Sequence, residues 1–292
     1  LPIMINPPDI LHFQWISPML KIENFNGDFK KVLSLRGSQI NMNPISSKII
    51  ADTYVRAFKN IDAFHSVSDD IKKLSRNYIK KTKPVKVIKP AVDKIYLKFS
   101  NKYWRYDINE KLKIISVGTN RWKKGFTYSL DSMRLLAEKK IKFSYTIIAP
   151  GEDRENIDYQ ISDLNLNSYV NYIPGLAHEQ ILKEIKCCHL FLLPSLSEGI
   201  ANVVLESMAL GVPVLSTNCG GMSEVITDKV NGFLVPPRKP QIVSTRINDI
   251  ISYDKEYMLK IINAAKSTVI KNHLSNNQIS AFKNLYNEIL NE

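Results

Sequence analysis

Short apolar runs alternate with helical stretches along the whole chain. Asp9–Trp15 (DILHFQW), Lys31–Gly37 (KVLSLRG), Asp62–Ser68 (DAFHSVS) and Val85–Asp93 (VKVIKPAVD) read as strands, the last ending in a proline turn. Between the second and third, Ser47–Ile61 carries the 3.6-residue spacing of an amphipathic helix. Ser68 or Asp69 can cap a further helix running through Leu74. The segment Lys94–Asn109 breaks the pattern. It is polar and flecked with aromatics, and the alternation restarts directly after it, so it reads as a linker.

Beyond that segment, Lys113–Gly118, Phe143–Gly151, Tyr169–Gly175, His189–Ser195, Val212–Asn218 and Gly232–Pro237 read as strands, with helical stretches between most of them. Strict alternation predicts parallel sheets with helices on both faces. The strands are apolar throughout rather than every second residue, which fits sheets buried on both sides. In such sheets ligands bind beyond the carboxyl ends of the strands. Gly118, Gly151, Gly175 and Glu198 each stand just after a predicted strand, so they are expected to share one edge. No internal repeat or low-complexity segment interrupts this order.

Composition narrows the picture only at a few points. The 292 residues suffice for two domains of ordinary size, and at 44% hydrophobic they can bury real cores. Three cysteines, Cys187, Cys188 and Cys219, neither form a disulfide framework nor space as a zinc site, and fit a reducing compartment. No apolar run approaches ~18 residues. The net charge of +12 is uneven: Ile71–Lys124 holds 17 Lys/Arg against 3 Asp/Glu, and the remainder is close to neutral. Such a basic stretch is either a solvated face or an attraction to an anionic membrane or phosphorylated substrate. It lacks the aromatic spacing of nucleic-acid modules, so nucleic acid is not an expected partner.

The candidate chemistry sits in three loops. TNRWKKG (Thr119–Gly125) puts Arg121, Lys123 and Lys124 after one strand and before one helix, where cations suit a diphosphate. SEGIANVVLE (Ser197–Glu206) follows the strand His189–Ser195. Gly199 allows close backbone approach. The N–H groups of about Ile200 to Val203 open a helix and can cradle phosphate oxygens, with the Asn202 amide beside them. Glu198 lies outside that helix. Glu206 lies inside it among Val203, Val204, Leu205, Met208, Ala209 and Leu210, where a carboxylate needs a partner. Carboxylates repel bare anions but accept hydrogen bonds from hydroxyls. A nucleoside diphosphate sugar satisfies both demands. The third loop, TNCGGMSEVI (Thr217–Ile226), makes a tight turn at the same edge.

These residues resemble a family 4 retaining glycosyltransferase of the GT-B fold. The likeness runs from ISVG through KKG, then FLLPSLSEGIANVVLESMALGVPVLSTNCGGMSEVI and NGFLVPP, with Glu198 and Glu206 at the spacing of that family's Glu-x7-Glu motif. A weaker likeness covers ILHFQW, LSLRGSQI and FHSVSDDIKKL. The resemblance implies two Rossmann-like parallel-sheet α/β domains with the ligand cleft between them. They are expected as a partial acceptor domain at 1–93, the linker at 94–109, a donor domain at 110–273, and a C-terminal helix at 274–292 returning to the first domain. The implied first strand and Gly-rich loop are missing ahead of Leu1, so an incomplete N-terminal domain is expected.

The resemblance also implies residue roles. Glu198 contacts the donor sugar or its phosphates, Glu206 holds the ribose, Lys124 holds the diphosphate, and Ile173, Pro174, Gly175 and Leu176 line the base. Gly118, Gly199, Ile200, Ala201, Asn202 and Val203 complete the donor side. Thr119 stands where family members often carry arginine, and Arg121 is the expected substitute. Arg36 stands where many carry histidine near the reaction centre. Catalysis would rest on Glu198, Lys124 and Arg36, with His12 and His65 on the acceptor side. His178 and His189 are expected to be structural. The implied function is transfer of a hexosyl group, with retention, to a glycan or lipid-linked acceptor in cell-surface polysaccharide or glycolipid synthesis. No metal or cofactor is expected, because cations and N–H groups supply the positive charge, and Ser68–Asp70 reads as a helix cap rather than a metal motif. The expected location is the cytoplasm, peripheral on the inner face of the membrane. The competing readings are a nucleotide-sugar epimerase or phosphorylase of similar architecture and a non-catalytic nucleotide-sugar binding fragment.

Overall fold

A computed structural model of the chain describes residues 7–21, 27–101, 104, 106, 107, 109–151 and 154–291. Residues 1–6 of the expected first domain and 102, 103, 105 and 108 of the expected linker lie outside the described residues. The chain divides into two compact units: one of Leu1–Ala91, Ser197–Ile200 and Ser275–Glu292, the other of Val92–Leu196 and Ala201–Leu274.

In the first unit, β1 (Ile10–Phe13), β2 (Lys30–Leu35), β3 (Ala63–Ser66) and β4 (Val85–Val87) form a parallel sheet in chain order. The connections carry α1 (Ile16–Lys21), α2 (Lys48–Ala57) and α3 (Asp69–Ser75). Parallel crossovers of one hand, taken in one direction, return on one face of a sheet. On that face Leu33, Leu35 and Phe64 pack with Ile16, Met19, Tyr54, Phe58 and Ile71. Ser47 caps α2 by accepting from the Ile50 N–H at 3.5 Å. Ser68 caps α3, its hydroxyl accepting from the Ile71 N–H at 3.1 Å, which is the capping role expected of the SDD motif.

In the second unit, the helices α4 (Phe126–Glu138), α5 (Arg154–Asp163), α6 (His178–Cys187) and α7 (Asn202–Leu210) alternate with β5 (Leu112–Val117), β6 (Phe143–Ile148), β7 (Val170–Ile173), β8 (Leu190–Leu193) and β9 (Val214–Thr217). β10 (Phe233–Val235), α8 (Pro240–Ser252) and α9 (Lys255–Asn272) follow. The parallel sheet runs β10-β9-β8-β5-β6-β7. From β5 the chain builds outward through β6 and β7, then returns to lay β8 on the other side of β5. The order therefore reverses between β5 and β8, and ligands bind at such switch points. The strands are buried as the apolar runs predict, and Leu112, Ile114, Phe143, Tyr145, Leu190 and Leu192 join one core with Leu130, Met133 and Ile247. The buried Tyr145 hydroxyl is 2.8 Å from both Ser116 Oγ and Ser129 Oγ, so it is not stranded. GMSEVI forms a 3-10 turn at Gly220–Glu224.

The segment expected as a linker falls inside the second unit. It holds a helical turn at Ile95–Lys98, and Asn101 ties it down. The Asn101 N–H donates to the Leu210 carbonyl at 2.7 Å, its side-chain amide donates to the Lys186 carbonyl at 2.9 Å, and its own carbonyl accepts from Lys266 Nζ at 2.5 Å. Gly211, with φ +73°, makes this possible, because a Cβ there would stand 2.7 Å from that same Asn101 carbonyl oxygen.

The C-terminal helix α10 (Ser275–Leu290) belongs to the first unit. It covers the face left bare by the crossovers, with Leu285 and Ile289 packed on Val32, Ala63 and Ile88. Lys86 and Glu288 pair at 2.7 Å at its end.

Candidate functional site

The loops that leave β5, β6, β7 and β8 contact one another in the order of the strands. Gly175, after β7, lies against Pro150, where a Cβ would be 3.6 Å from the Pro150 Cβ. Gly151, after β6, lies against Asn120, and the Asn120 N–H donates to the Pro150 carbonyl at 2.8 Å. Both glycines have positive φ, +154° and +149°, so these contacts use conformations that side chains rarely adopt. The next step along the row is TNRWKKG. Its Gly125, with φ +68°, is pressed on the Pro194 carbonyl, and the Leu196 N–H donates to the Lys123 carbonyl at 2.7 Å. The basic loop after β5 is thereby fastened to the exit of β8, across the switch point.

Gly118 and Lys124 are also brought together. A Cβ on Gly118 would be 3.2 Å from Lys124 Cδ and Cε, so the lysine stem lies along the bare glycine. Thr119 and Arg121 are exposed in the same loop, and the Lys124 N–H donates to the Arg121 carbonyl at 2.8 Å. Past β8 the chain enters α7 at Ala201, whose side chain offers no cap, so the first amides of Asn202 and Val203 meet no capping side chain. Ile173, Pro174, Gly175 and Leu176 close β7 and lead into α6, where Gln180 Oε1 accepts the Ala177 N–H at 3.1 Å.

Glu206 sits in the second turn of α7, with a side chain 13% exposed. Burial pushes its carboxyl above the ordinary carboxylate range, and His178 at the start of α6 draws it back. His178 Nε2 stands 3.8 Å from Glu206 Oε1 and 3.0 Å from the Tyr96 hydroxyl. His178, expected to be structural, thus faces a site carboxylate, and neither it nor Tyr96 was legible as a partner in the sequence. No spacing rule links positions on three separate elements. The one available signal was the lone carboxylate in an apolar helix, which demanded some partner. His189 does play the structural part: it is buried, and its Nδ1 accepts the Lys113 N–H at 3.0 Å.

The other half of the Glu-x7-Glu pair is placed differently. Ser197–Ile200 is counted with the first unit. There the Glu198 carbonyl accepts from Asn41 Nδ2 at 3.3 Å, and a Cβ on Gly199 would be 2.8 Å from Val67 Cγ2. Ile200 is buried. Arg36, in the same unit, donates to Gln14 Oε1 at 2.7 Å and lies over the Trp15 ring at 5.5 Å. Its Nε is buried with no hydrogen-bond partner, and burial lowers its pKa. A half-buried guanidinium so placed favours an anion.

His12 and His65, expected on the acceptor side, are both hydrogen-bonded within the first unit. His65 is only 1% exposed. It takes part in a chain of contacts: Tyr286 hydroxyl to His12 Nδ1 at 2.7 Å, His12 Nε2 to Ser34 Oγ at 2.9 Å, Ser34 Oγ to His65 Nδ1 at 2.8 Å, and His65 Nε2 to the Ile88 carbonyl at 2.8 Å. Every ring nitrogen is occupied within the fold.

Among the described residues, no three His, Cys, Asp or Glu side chains converge so as to hold a metal ion, and no helix is long and apolar enough to cross a membrane. The arrangement in the second unit can hold an anion at the β5–β8 junction and a hydroxyl-bearing group at Glu206.

Comparison with known proteins bears on this chemistry. The family model described as Glycosyl transferases group 1 matches residues 101–268. An uncharacterized glycosyltransferase of Haemophilus influenzae is 35% identical over 43% of this chain and 35% of its own length. The amylovoran biosynthesis glycosyltransferase AmsK of Erwinia amylovora is 32% identical over 47% of this chain and 35% of its own length. The chain thus spans about a third of the length of these curated relatives. Among solved structures, sucrose-phosphate synthase from Thermosynechococcus elongatus matches with TM-score 0.83 over 99% of this chain and 75% of that one, at 15% identity. Anabaena HepE in complex with UDP-glucose matches with TM-score 0.78 over 95% and 78%, at 16% identity. The fold is that of the GT-B glycosyltransferases, two Rossmann-like parallel-sheet units.

Proposed function

Because the chain belongs to the group 1 glycosyl transferases, we propose that it moves a hexosyl group from a nucleoside diphosphate sugar to a glycan or lipid-linked acceptor. The observation that carries this reading is the fastening of the Lys123–Lys124 loop to the exit of β8, beside the uncapped start of α7. A cation and a helix N-terminus at a switch point suit a diphosphate. Glu206 is assigned the ribose hydroxyls, and Ile173–Leu176 the base. The polysaccharide setting is supported by the role that the Erwinia relative's name gives it.

Transfer proceeds with retention, by substitution on one face of the sugar. The acceptor oxygen bonds to the anomeric carbon as the bond from that carbon to the diphosphate oxygen breaks. The acceptor's proton passes to the leaving diphosphate. Lys124, Arg121 and the amides of Asn202 and Val203 stabilise the charge that develops on it, so the positive charge comes from the chain and not from a metal. The family resemblance implies roles for Glu198 toward the donor sugar and for Arg36 toward phosphate charge.

A thermal-shift series with UDP, GDP, ADP and their sugars tests the donor site. One nucleotide is expected to raise the melting temperature, since a ligand of the folded state alone must do so. Glu206→Ala should remove that rise. A folded chain that responds to no nucleotide would rule out the transferase reading in favour of a fragment without a working donor site. We further propose that the basic stretch Ile71–Lys124 binds anionic membrane surface. Vesicles with anionic lipid should retain the chain at low salt and release it at high salt; retention that ignores salt would count against it.

A further inference from the structure

One ring nitrogen in the second unit faces two oxygens. His178 Nε2 is 3.0 Å from the Tyr96 hydroxyl and 3.8 Å from Glu206 Oε1. The ring can serve them in different protonation states. When neutral with its proton on Nδ1, it accepts the Tyr96 O–H at Nε2. When protonated, it presents Nε2–H, and the carboxylate is the stronger acceptor of that proton. We propose that His178 is a positioning residue for Glu206: the protonated ring, released from Tyr96, keeps the carboxylate ionised and aimed for the two ribose hydroxyls of a nucleotide. This rests on the donor site proposed above.

The surroundings favour the coupling. A cavity of about 630 Å³, lined by Ile95, Tyr96, Phe99, His178, Leu182 and Leu210 among others, opens beside the cluster and leaves the imidazole room to turn. Its apolar walls lower the local dielectric. Among the described residues, Glu179, Lys183 and Lys186 line the same cavity, and Asp93 acts on Tyr96 together with Glu206.

The sign follows from Glu206. Its carboxyl is raised by burial and lowered by His178. Ionised Glu206, and nucleotide affinity with it, is lost as pH falls through that raised value. Removing His178 removes the lowering influence, so the acid limb moves to higher pH.

The test is a carbon-13 NMR titration of the Glu206 carboxyl, followed by calorimetric affinity for UDP, GDP and ADP across pH, in wild type, His178→Ala and His178→Lys. His178→Ala is expected to raise the carboxyl's midpoint and weaken nucleotide binding about fivefold on the acid limb, as suits a pair with one exposed member. The two proteins should converge at high pH, where Glu206 is ionised in both. His178→Lys should restore the wild-type acid limb. An unchanged Glu206 midpoint in His178→Ala overturns the proposal, and so does an affinity loss equal at every pH. If the midpoint shifts while wild type binds none of the nucleotides, the coupling stands and the donor reading fails.

Discussion

Lys124→Met is expected to lower the kcat of sugar transfer by about 10²- to 10³-fold, the usual loss when one preorganised stabiliser of developing charge is removed. Methionine keeps the aliphatic stem that lies along Gly118 and discards only the charge. The loop itself is held by backbone: Gly125 in the left-handed conformation, the Lys124 N–H on the Arg121 carbonyl, and the Leu196 N–H on the Lys123 carbonyl. The melting temperature should therefore change little. KM for the donor should rise less than kcat falls, because the charge grows as the diphosphate leaves. Lys124→Arg should recover part of the rate. Steady-state kinetics with a matched donor and acceptor decides the matter. A kcat within threefold of wild type would mean that the charge is stabilised elsewhere, with Arg121 the first residue to examine.

The second large effect is acid lability of the first unit. The contacts of Tyr286, His12, Ser34, His65 and Ile88 fit one direction only. The Ile88 carbonyl requires a proton on His65 Nε2, so His65 Nδ1 accepts from Ser34, Ser34 accepts from His12 Nε2, and His12 Nδ1 accepts from Tyr286. Both rings are neutral in that pattern, and a further proton on either accepting nitrogen would force the hydroxyl that faces it to turn from donor to acceptor. Each histidine is accordingly lowered from 6.5 to about 4, with burial the largest cause in both; for His65 the Ile88 carbonyl opposes the shift, while Arg36 adds to it in both. The unfolded chain takes up protons near pH 6.5 and the folded one only near 4. Stability is therefore full above about pH 6.5 and falls as pH drops from there toward 4. For the buried His65 the loss by pH 4 is about 3 kcal/mol, and His12 adds to it in the same window. Urea unfolding at pH 7 and pH 4.5 measures it. His65→Gln keeps a donor for Ile88 and an acceptor for Ser34 but does not titrate, so its pH slope should be shallower. An unchanged slope in that variant would mean that the loss arises from other groups.

The two histidines show how far the sequence could be read. Their positions at predicted strand ends are right: His12 lies in β1 and His65 in β3. Strand position alone does not say whether a side chain reaches outward to a ligand or inward to a neighbour. That depends on register, Ser34 on β2 lying between them, and on α10 arriving with Tyr286 from the far end of the chain. The segment expected as a linker shows a related limit. Polar and aromatic composition marks a stretch that is neither strand nor helix. It cannot show that the Asn101 backbone and amide are bonded to the last turns of α6 and α7 and to Lys266 of α9.

What the sequence determined by itself was local or periodic. Continuous apolar runs spaced by amphipathic helices fix parallel sheets, because only strands covered on both faces tolerate such runs. Glycines after those runs mark the edge where the loops meet, because tight exits there need positive φ or the absence of a Cβ. The residues from 101 to 268 carry the match to the group 1 glycosyl transferases. What only the tertiary structure decided was pairing at a distance. Ser197–Ile200 joins the first unit although its flanks belong to the second, and Glu206 stands 3.8 Å from His178, whose ring also meets the Tyr96 hydroxyl. Such pairings depend on which faces the packed elements turn toward each other, and no period along the chain encodes that.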